Sequence, residues 1–241
     1  MKIEIKNLKK KFNENFVLKD ISLTIEKNKS TIILGQSGCG KSVLIKTIYQ
    51  LFKFDSGSIL YEGKSEVDID KFSMLFQYGA LFDSLKISEN IAFTDYINNK
   101  TNYERKVISL INDVGLDKSI INKYPSEISG GMKKRVALAR ALYKNPKVIF
   151  LDEPTTGLDP INSDKINELI LKVITKRKIT AVTITHDIKS AIKTGDHYYF
   201  IDKGIIQDKG DCKKILKTKN KVFKSFISCL LYTSPSPRDR S

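Results

Sequence analysis

An α/β fold with a mixed sheet is the class this sequence predicts, and three observations carry it. Beyond residue 145, short apolar runs alternate with amphipathic helical stretches, the pattern of a largely parallel sheet covered on both faces. The first third carries strand patterns with few helices between them, giving the sheet an antiparallel N-terminal portion. Residues 86–145 are helical in pattern and read as an inserted helical subdomain. The expected division is one domain over 1–229, with its core at 1–85 and 146–229.

Each element follows from local pattern. KIEI (2–5) and ISLTI (21–25) alternate apolar and polar residues, and STIIL (30–34) is an apolar run ending in glycines; all three read as strands. Residues 41–52 read as a helix, then GSILYEG (57–63) and SMLFQ (73–77) as strands. ISENIAFTDYI (87–97), YERKVISLINDV (103–114) and the run opened by Gly130 and Gly131 have helical spacing. Strand returns at KVIFLD (147–152), helix at 163–177, strand at TAVTIT (180–185) and helix at IKSAIK (188–193). HYYFID (197–202) and GIIQD (204–208) read as short strands, KKILKT (213–218) and KVFKSFI (221–227) as helix. LLYTSPSPRDRS (230–241) is Ser/Pro/Arg-rich and builds no core, so it reads as an adapter-derived or disordered tail.

Composition narrows the class. A chain of 241 residues with 41% apolar and 29% charged residues can bury one good core. No apolar run approaches a membrane span, and the start lacks a signal-peptide core, so a cytosolic chain is expected unless a partner brings it to a membrane. Three cysteines without metal spacing argue for reduced thiols. The net charge of +15 is spread along the chain with no basic stripe interleaved with aromatics, so no nucleic-acid partner is expected.

The chemistry begins at GQSGCGKS (35–42), a phosphate loop with a strand before it and a helix after. Gly35, Gly38 and Gly40, with Gln36, Ser37 and Cys39 between them, let backbone N–H groups turn inward around a β-phosphate. Lys41 reaches the β/γ oxygens and the Ser42 hydroxyl ligates Mg²⁺. VIFLDEP (148–154) ends a buried strand on Asp152, which can hold Mg²⁺ through water, and on Glu153, which can polarise a water against the γ-phosphate. His186 ends TAVTIT at the same rim, where it can sense the γ-phosphate. Gln77 can reach Mg²⁺ or the attacking water, and Phe12 can stack on adenine. ATP and Mg²⁺ are therefore the expected ligands. Gly130 and Gly131 clear the backbone at a second helix N-terminus, a second place fit for an anion.

Taken together, GQSGCGKS, Gln77, ISGGM (128–132), VIFLDEP, GLDP (157–160) and ITHD resemble an ABC-type ATPase over residues 1–229. ISGGM departs mildly from the commoner LSGG opening, and Phe12 stands where Tyr is commoner. The resemblance implies that two copies pack head to tail. Ser129, Gly130 and Gly131 of one copy then cover the ATP of the other, and Asp159 sits across the same interface. It also implies a separate multispanning permease, docked between the helical insert and the segment after Gln77. That segment, QYGALFDSLKISENIAF (77–93), together with SGGMKKRVALARAL, resembles ATPases of the maintenance-of-lipid-asymmetry (Mla) type, also called toluene-tolerance or MCE-associated. This implies phospholipid transport from the cytoplasmic side of an inner membrane, with an MCE-domain protein and a small STAS-like protein as partners. The alternatives are a solute importer or a soluble ABC ATPase.

Overall fold

The computed structural model describes residues 1–232. Its strands are β1 (Ile3–Phe12), β2 (Asn15–Ile25), β3 (Ser30–Leu34), β4 (Ser56–Tyr61), β5 (Phe72–Leu75), β6 (Val148–Asp152), β7 (Thr180–Ile184), β8 (His197–Asp202) and β9 (Ile205–Asp211). Its helices are α1 (Lys41–Ile48), α2 (Ile87–Ile91), α3 (Phe93–Ile97), α4 (Glu104–Asp113), α5 (Gly130–Leu142), α6 (Pro160–Arg177), α7 (Ile188–Thr194) and α8 (Lys221–Tyr232). The chain forms two compact units: a central one, Val67–Thr183 with Met1, and a terminal one, Lys2–Glu66 with the chain from Ile184 onward.

In the terminal unit the strand order is β4-β1-β2-β9-β8-β3. The pairs β1/β2, β1/β4 and β8/β9 are antiparallel, whereas β3/β8 and β2/β9 are parallel. The antiparallel N-terminal portion is thus present. β3 is buried at all five positions, as a strand covered on both faces must be. Its core holds Ile32, Leu34 and Phe200 against Phe223 and Phe226 of α8, with the Phe200 and Phe223 rings stacked 4.5 Å apart.

The hairpin β1–β2 is longer than the two short alternating runs predict. Asn7 lies in the left-handed region at φ +49, and the register slips after Ile5, Leu8 and Lys10. Such bulges break the alternation on which a sequence reading depends. Residues 212–217 form a helix of the 3₁₀ type, and α8 runs to Tyr232, into the stretch read as tail. The rest of that tail, 233–241, lies outside the described residues.

In the central unit β7, β6 and β5 lie in that order, with β5 and β6 parallel from Phe72↔Val148 to Leu75↔Leu151. α4, α5 and α6 pack a single core that includes Val107, Val136, Leu142, Ile149 and Ile170. Asp113 of α4 accepts from Arg177 of α6 at 2.6 Å and Lys176 at 3.1 Å, pinning the two helices at their rim. α2 is held by Asn90, fully buried between Ile87 and Ile91. Its side chain accepts from the Phe82 N–H at 2.8 Å and donates to the carbonyls of Phe82 (3.0 Å), Leu85 (3.0 Å) and Lys86 (3.1 Å).

Candidate functional site

In the terminal unit, β3 delivers the chain into the phosphate loop at Gly35. A Cβ on Gly35 would stand 2.3 Å from the Ile201 carbonyl oxygen and 2.6 Å from Cys39 Sγ, so only glycine fits. Gly40 is left-handed at φ +107, and a Cβ there would approach Leu18 Cδ2 at 2.9 Å. α1 therefore starts on a glycine with no side-chain cap and no acidic residue in its first turn. Its leading N–H groups and positive dipole end are left for an anion. Lys41 is buried, and its Nζ donates to the Gly35 and Gln36 carbonyls, each at 2.7 Å, which holds the ammonium inside the loop. Gln36, Ser37 and Gly38 form an exposed rim, and Ser42 is exposed at the second position of α1. Cys39 is buried, and burial raises its thiol pKa against the pull of Lys41, so it packs as a neutral thiol.

His186 is exposed on the bend between β7 and α7. Its neighbour Thr185 donates from its N–H to the Ile33 carbonyl at 3.3 Å, which places the bend beside the end of β3. Asp187 fixes the other side by capping α7 through the Lys189 N–H at 2.9 Å. Phe12, at the tip of the β1–β2 hairpin, is 41% exposed and meets the Phe52 ring edge-on at 5.4 Å. Lys10 Nζ stands 5.2 Å from its ring centroid. The same hairpin abuts the phosphate loop, since Val17 and Leu18 are the neighbours of Gly40. The bend bearing His186 thus lies beside the end of β3, and the hairpin bearing Phe12 lies beside the phosphate loop.

In the central unit, β6 ends at Asp152, and the next residue, Glu153, is left-handed at φ +48, a strained conformation for a residue with a side chain. The Thr156 hydroxyl donates to Glu153 Oε2 at 2.8 Å, fixing the carboxylate, and the Thr156 N–H donates to the Glu153 carbonyl at 3.1 Å. Gln77, two residues past β5, lines a cleft of about 520 Å³ together with Asp152, Lys133 and Tyr78. The structure thus brings Gln77 and Asp152 to one cleft. Carboxylate and amide oxygens are donors that suit Mg²⁺, and Asp152 and Gln77 bring one of each to this cleft.

Ser129 caps α5, its hydroxyl accepting from the Met132 N–H at 3.3 Å. Cβ atoms on Gly130 and Gly131 would meet nothing within 4 Å, so this helix end is open. Two of the three basic residues in the run after it, Lys134 and Arg135, are spent inside the unit, while Lys133 lines the cleft. Lys134 Nζ donates to the Gln77 carbonyl, and Arg135 donates to the carbonyls of Val114 at 3.1 Å and Gly115 at 3.2 Å. Burial lowers the pKa of Lys134, an effect that its neighbour Glu153 opposes. Asp159 is exposed and caps α6, accepting from the Asn162 N–H at 3.0 Å; that bond holds its carboxyl below the usual range. Pro160 fills the first helical position, where a missing N–H costs nothing.

Sequence reasoning missed Thr156, Lys134, Arg140 and Asn90. Only Asn90 left a trace: it is the polar residue in the buried stripe Ile87–Asn90–Ile91 at helical spacing.

The profile of the ABC transporter family matches residues 18–156. A sulfate/thiosulfate import ATP-binding protein of Cucumis sativus is 33% identical over 89% of this chain, which spans 64% of that protein's length. A probable ribonucleotide transport ATP-binding protein of Mycobacterium bovis is 31% identical over 94% of this chain and 66% of its own. Among solved structures, the ATP-binding cassette MJ0796, a dimer bound to ADP and Pi after hydrolysis, matches with a TM-score of 0.74. That match is 29% identical over 87% of this chain and 98% of MJ0796. Phosphate loop, Asp152–Glu153 strand end, open glycine helix and matched profile agree, and the chain belongs to the ABC transporter family of ATP-binding proteins.

Proposed function

We propose that this chain hydrolyses MgATP as the ATP-binding subunit of a membrane transporter, acting as a head-to-tail pair of copies. The observation that carries the reading is the glycine-shaped loop with Lys41 buried inside it, in a chain whose Glu153 is aligned by Thr156. Lys41 exchanges loop carbonyls for β- and γ-phosphate oxygens, while the first N–H groups of α1 hold the β-phosphate. Ser42, Asp152 and Gln77 are the residues that would hold Mg²⁺, which would supply positive charge to the phosphate oxygens. Glu153 accepts the proton of the attacking water, and His186 donates to the γ-phosphate. The open helix end at Ser129, Gly130 and Gly131 serves the ATP of the second copy, with Asp159 at the same junction. Phe12 receives the adenine. The dimeric state of the solved relative supports the pairing.

Glu153→Gln tests the reading. Hydrolysis should fall about 10²- to 10⁴-fold because the base is lost, while ATP binding survives and a dimer accumulates with ATP. A variant that keeps the parental hydrolysis rate overturns the assignment.

For the cargo we favour phospholipid, carried through a separate permease that this subunit serves from the cytoplasmic face of an inner membrane. Among the described residues, no helix is long and apolar enough to cross a membrane. The support is the segment 77–93 with its Mla-like sequence and its exposed Tyr78 and Phe82, beside an exposed Phe76, a surface fit for a permease. An MCE-domain protein and a STAS-like protein complete the proposed assembly. A second reading, import of a small solute such as sulfate, is favoured by the name of the Cucumis sativus relative. Purifying the complex in mild detergent and measuring cargo-stimulated ATPase in proteoliposomes separates the two. Stimulation by phospholipid with MCE protein present supports the first reading, and stimulation by sulfate with a binding protein supports the second.

A further inference from the structure

The helix that opens on Ser129 does more than present its N-terminus. One face of α5 runs alongside the loop that carries Gln77 and touches it at three points spaced three residues apart. Lys134 Nζ donates to the Gln77 carbonyl. The Ala137 methyl packs where Gly79 leaves room, since a Cβ on Gly79 would stand 3.3 Å from it. Arg140 Nη1 donates to the Ala80 carbonyl at 2.5 Å. Residues 134, 137 and 140 advance about 9 Å along the helix axis at 1.5 Å per residue, and the loop advances beside them from 77 to 80.

The loop cannot easily leave this face. Gly79 and Ala80 are left-handed, at φ +77 and +48, which bends the chain so that the Gln77 and Ala80 carbonyls both meet the helix. Arg140 is also seated on aromatic rings, 5.0 Å from the Phe82 centroid and 5.4 Å from that of Phe93, which are themselves stacked at 4.6 Å. The guanidinium thus has its donor direction fixed by cation–π contact. Lys134 lies between two reacting elements: it holds the Gln77 backbone and feels the Glu153 carboxylate.

We infer that Lys134, supported by Ala137 and Arg140, is a positioning residue that locks Gln77 to the glycine-opened helix, so that engagement of that helix with a second copy's ATP sets Gln77 in its own site. This rests on the ATP-hydrolysing, paired reading above. Lys134 acts through the Gln77 backbone, to which its ammonium is bonded. The three contacts turn the helix and the loop into one body, and a shift of the helix end carries the Gln77 amide with it.

The test is Lys134→Met, which keeps the apolar stem and removes the donor, beside Lys134→Arg, which restores one. Steady-state ATPase is measured against MgATP and against Mg²⁺ at fixed ATP, each variant in the parental and the Gln77→Ala backgrounds. Lys134→Met should lower kcat about tenfold with KM for ATP within twofold, and raise the Mg²⁺ concentration for half-maximal rate. Lys134→Arg should recover most of the rate. In the Gln77→Ala background Lys134→Met should change nothing further, because the group it positions is gone. The inference is overturned if Lys134→Met is as active as the parent, or if its loss is equally large without the Gln77 amide. Should Lys134→Met fail to fold, Lys134→Leu, which also carries no donor, takes its place with the same readings. Absence of ATPase in the parental protein would instead refute the hydrolytic reading and is distinguished by that control.

Discussion

Removing the Asn90 side chain offers a quantitative check on how the loop after β5 is built. Asn90→Ala deletes one acceptor and three donor contacts from a residue with no exposed surface. Two of the abandoned carbonyls keep other donors: Phe82 O accepts from Leu85 N at 3.2 Å and Lys86 O from Asn90 N at 2.9 Å. The cost therefore falls on the Phe82 N–H and the Leu85 carbonyl. An unsatisfied partly buried group costs about 1–3 kcal/mol and each lost bond about 1 kcal/mol, so a total of about 2–4 kcal/mol is expected. For a chain of this size that lowers the melting midpoint by about 5–15 °C in calorimetry or circular dichroism. Asn90→Asp should be worse at neutral pH, since it turns a carboxylate oxygen toward three carbonyl oxygens. A midpoint within about 2 °C of the parent for Asn90→Ala, or an Asp variant more stable than the Ala variant, would refute this account of the loop.

Two further outcomes follow from named contacts. Gly35→Ala should lose nucleotide binding and much of its soluble yield, because its methyl meets the Ile201 backbone oxygen at 2.3 Å; equilibrium binding of a fluorescent ATP analogue reads this out. Asp113→Asn should destabilise the protein at neutral pH and matter progressively less in acid. The Arg177 guanidinium holds the folded-state pKa of Asp113 below its unfolded value, so this stability is present above the unfolded pKa and is lost as pH falls through the folded pKa. The gap between the denaturant midpoints of parent and variant should therefore be widest at pH 7 and narrow as pH falls below the usual carboxylate range.

The chemistry was more legible in the sequence than the geometry that aims it. Gly35, Lys41, Ser42, Asp152 and Glu153 announce themselves because phosphate chemistry needs those residue types at fixed spacing next to buried strands. The alternation of strand and helix after residue 145 was readable for the same reason, since parallel strands are apolar throughout. The long β1–β2 hairpin was not, because its bulges and its run of lysines erase the period of two. Nor were Lys134 and Arg140, whose partners are backbone carbonyls of residues 57 and 60 positions away. A carbonyl leaves no mark in sequence, so contacts of this kind emerge only in three dimensions. The segment 77–93 was visible as a resemblance, while the division of labour between its buried Asn90 clamp and its exposed Tyr78 was not.

The chain order of the terminal unit shapes how the protein comes off the ribosome. β8 and β9 lie in the middle of its sheet, between β3 and β2, yet they are the last strands to be made. At about 5–20 residues per second, β3 waits roughly ten to thirty seconds for the partner that pairs its edge. The central unit is almost wholly one continuous stretch, Val67–Thr183, and can collapse during that interval. β3, apolar along most of its length with an open edge, is then the segment most exposed to wrong partners. A nascent chain stalled before His197 presents that hazard in full, and one released after Asp211 has closed it.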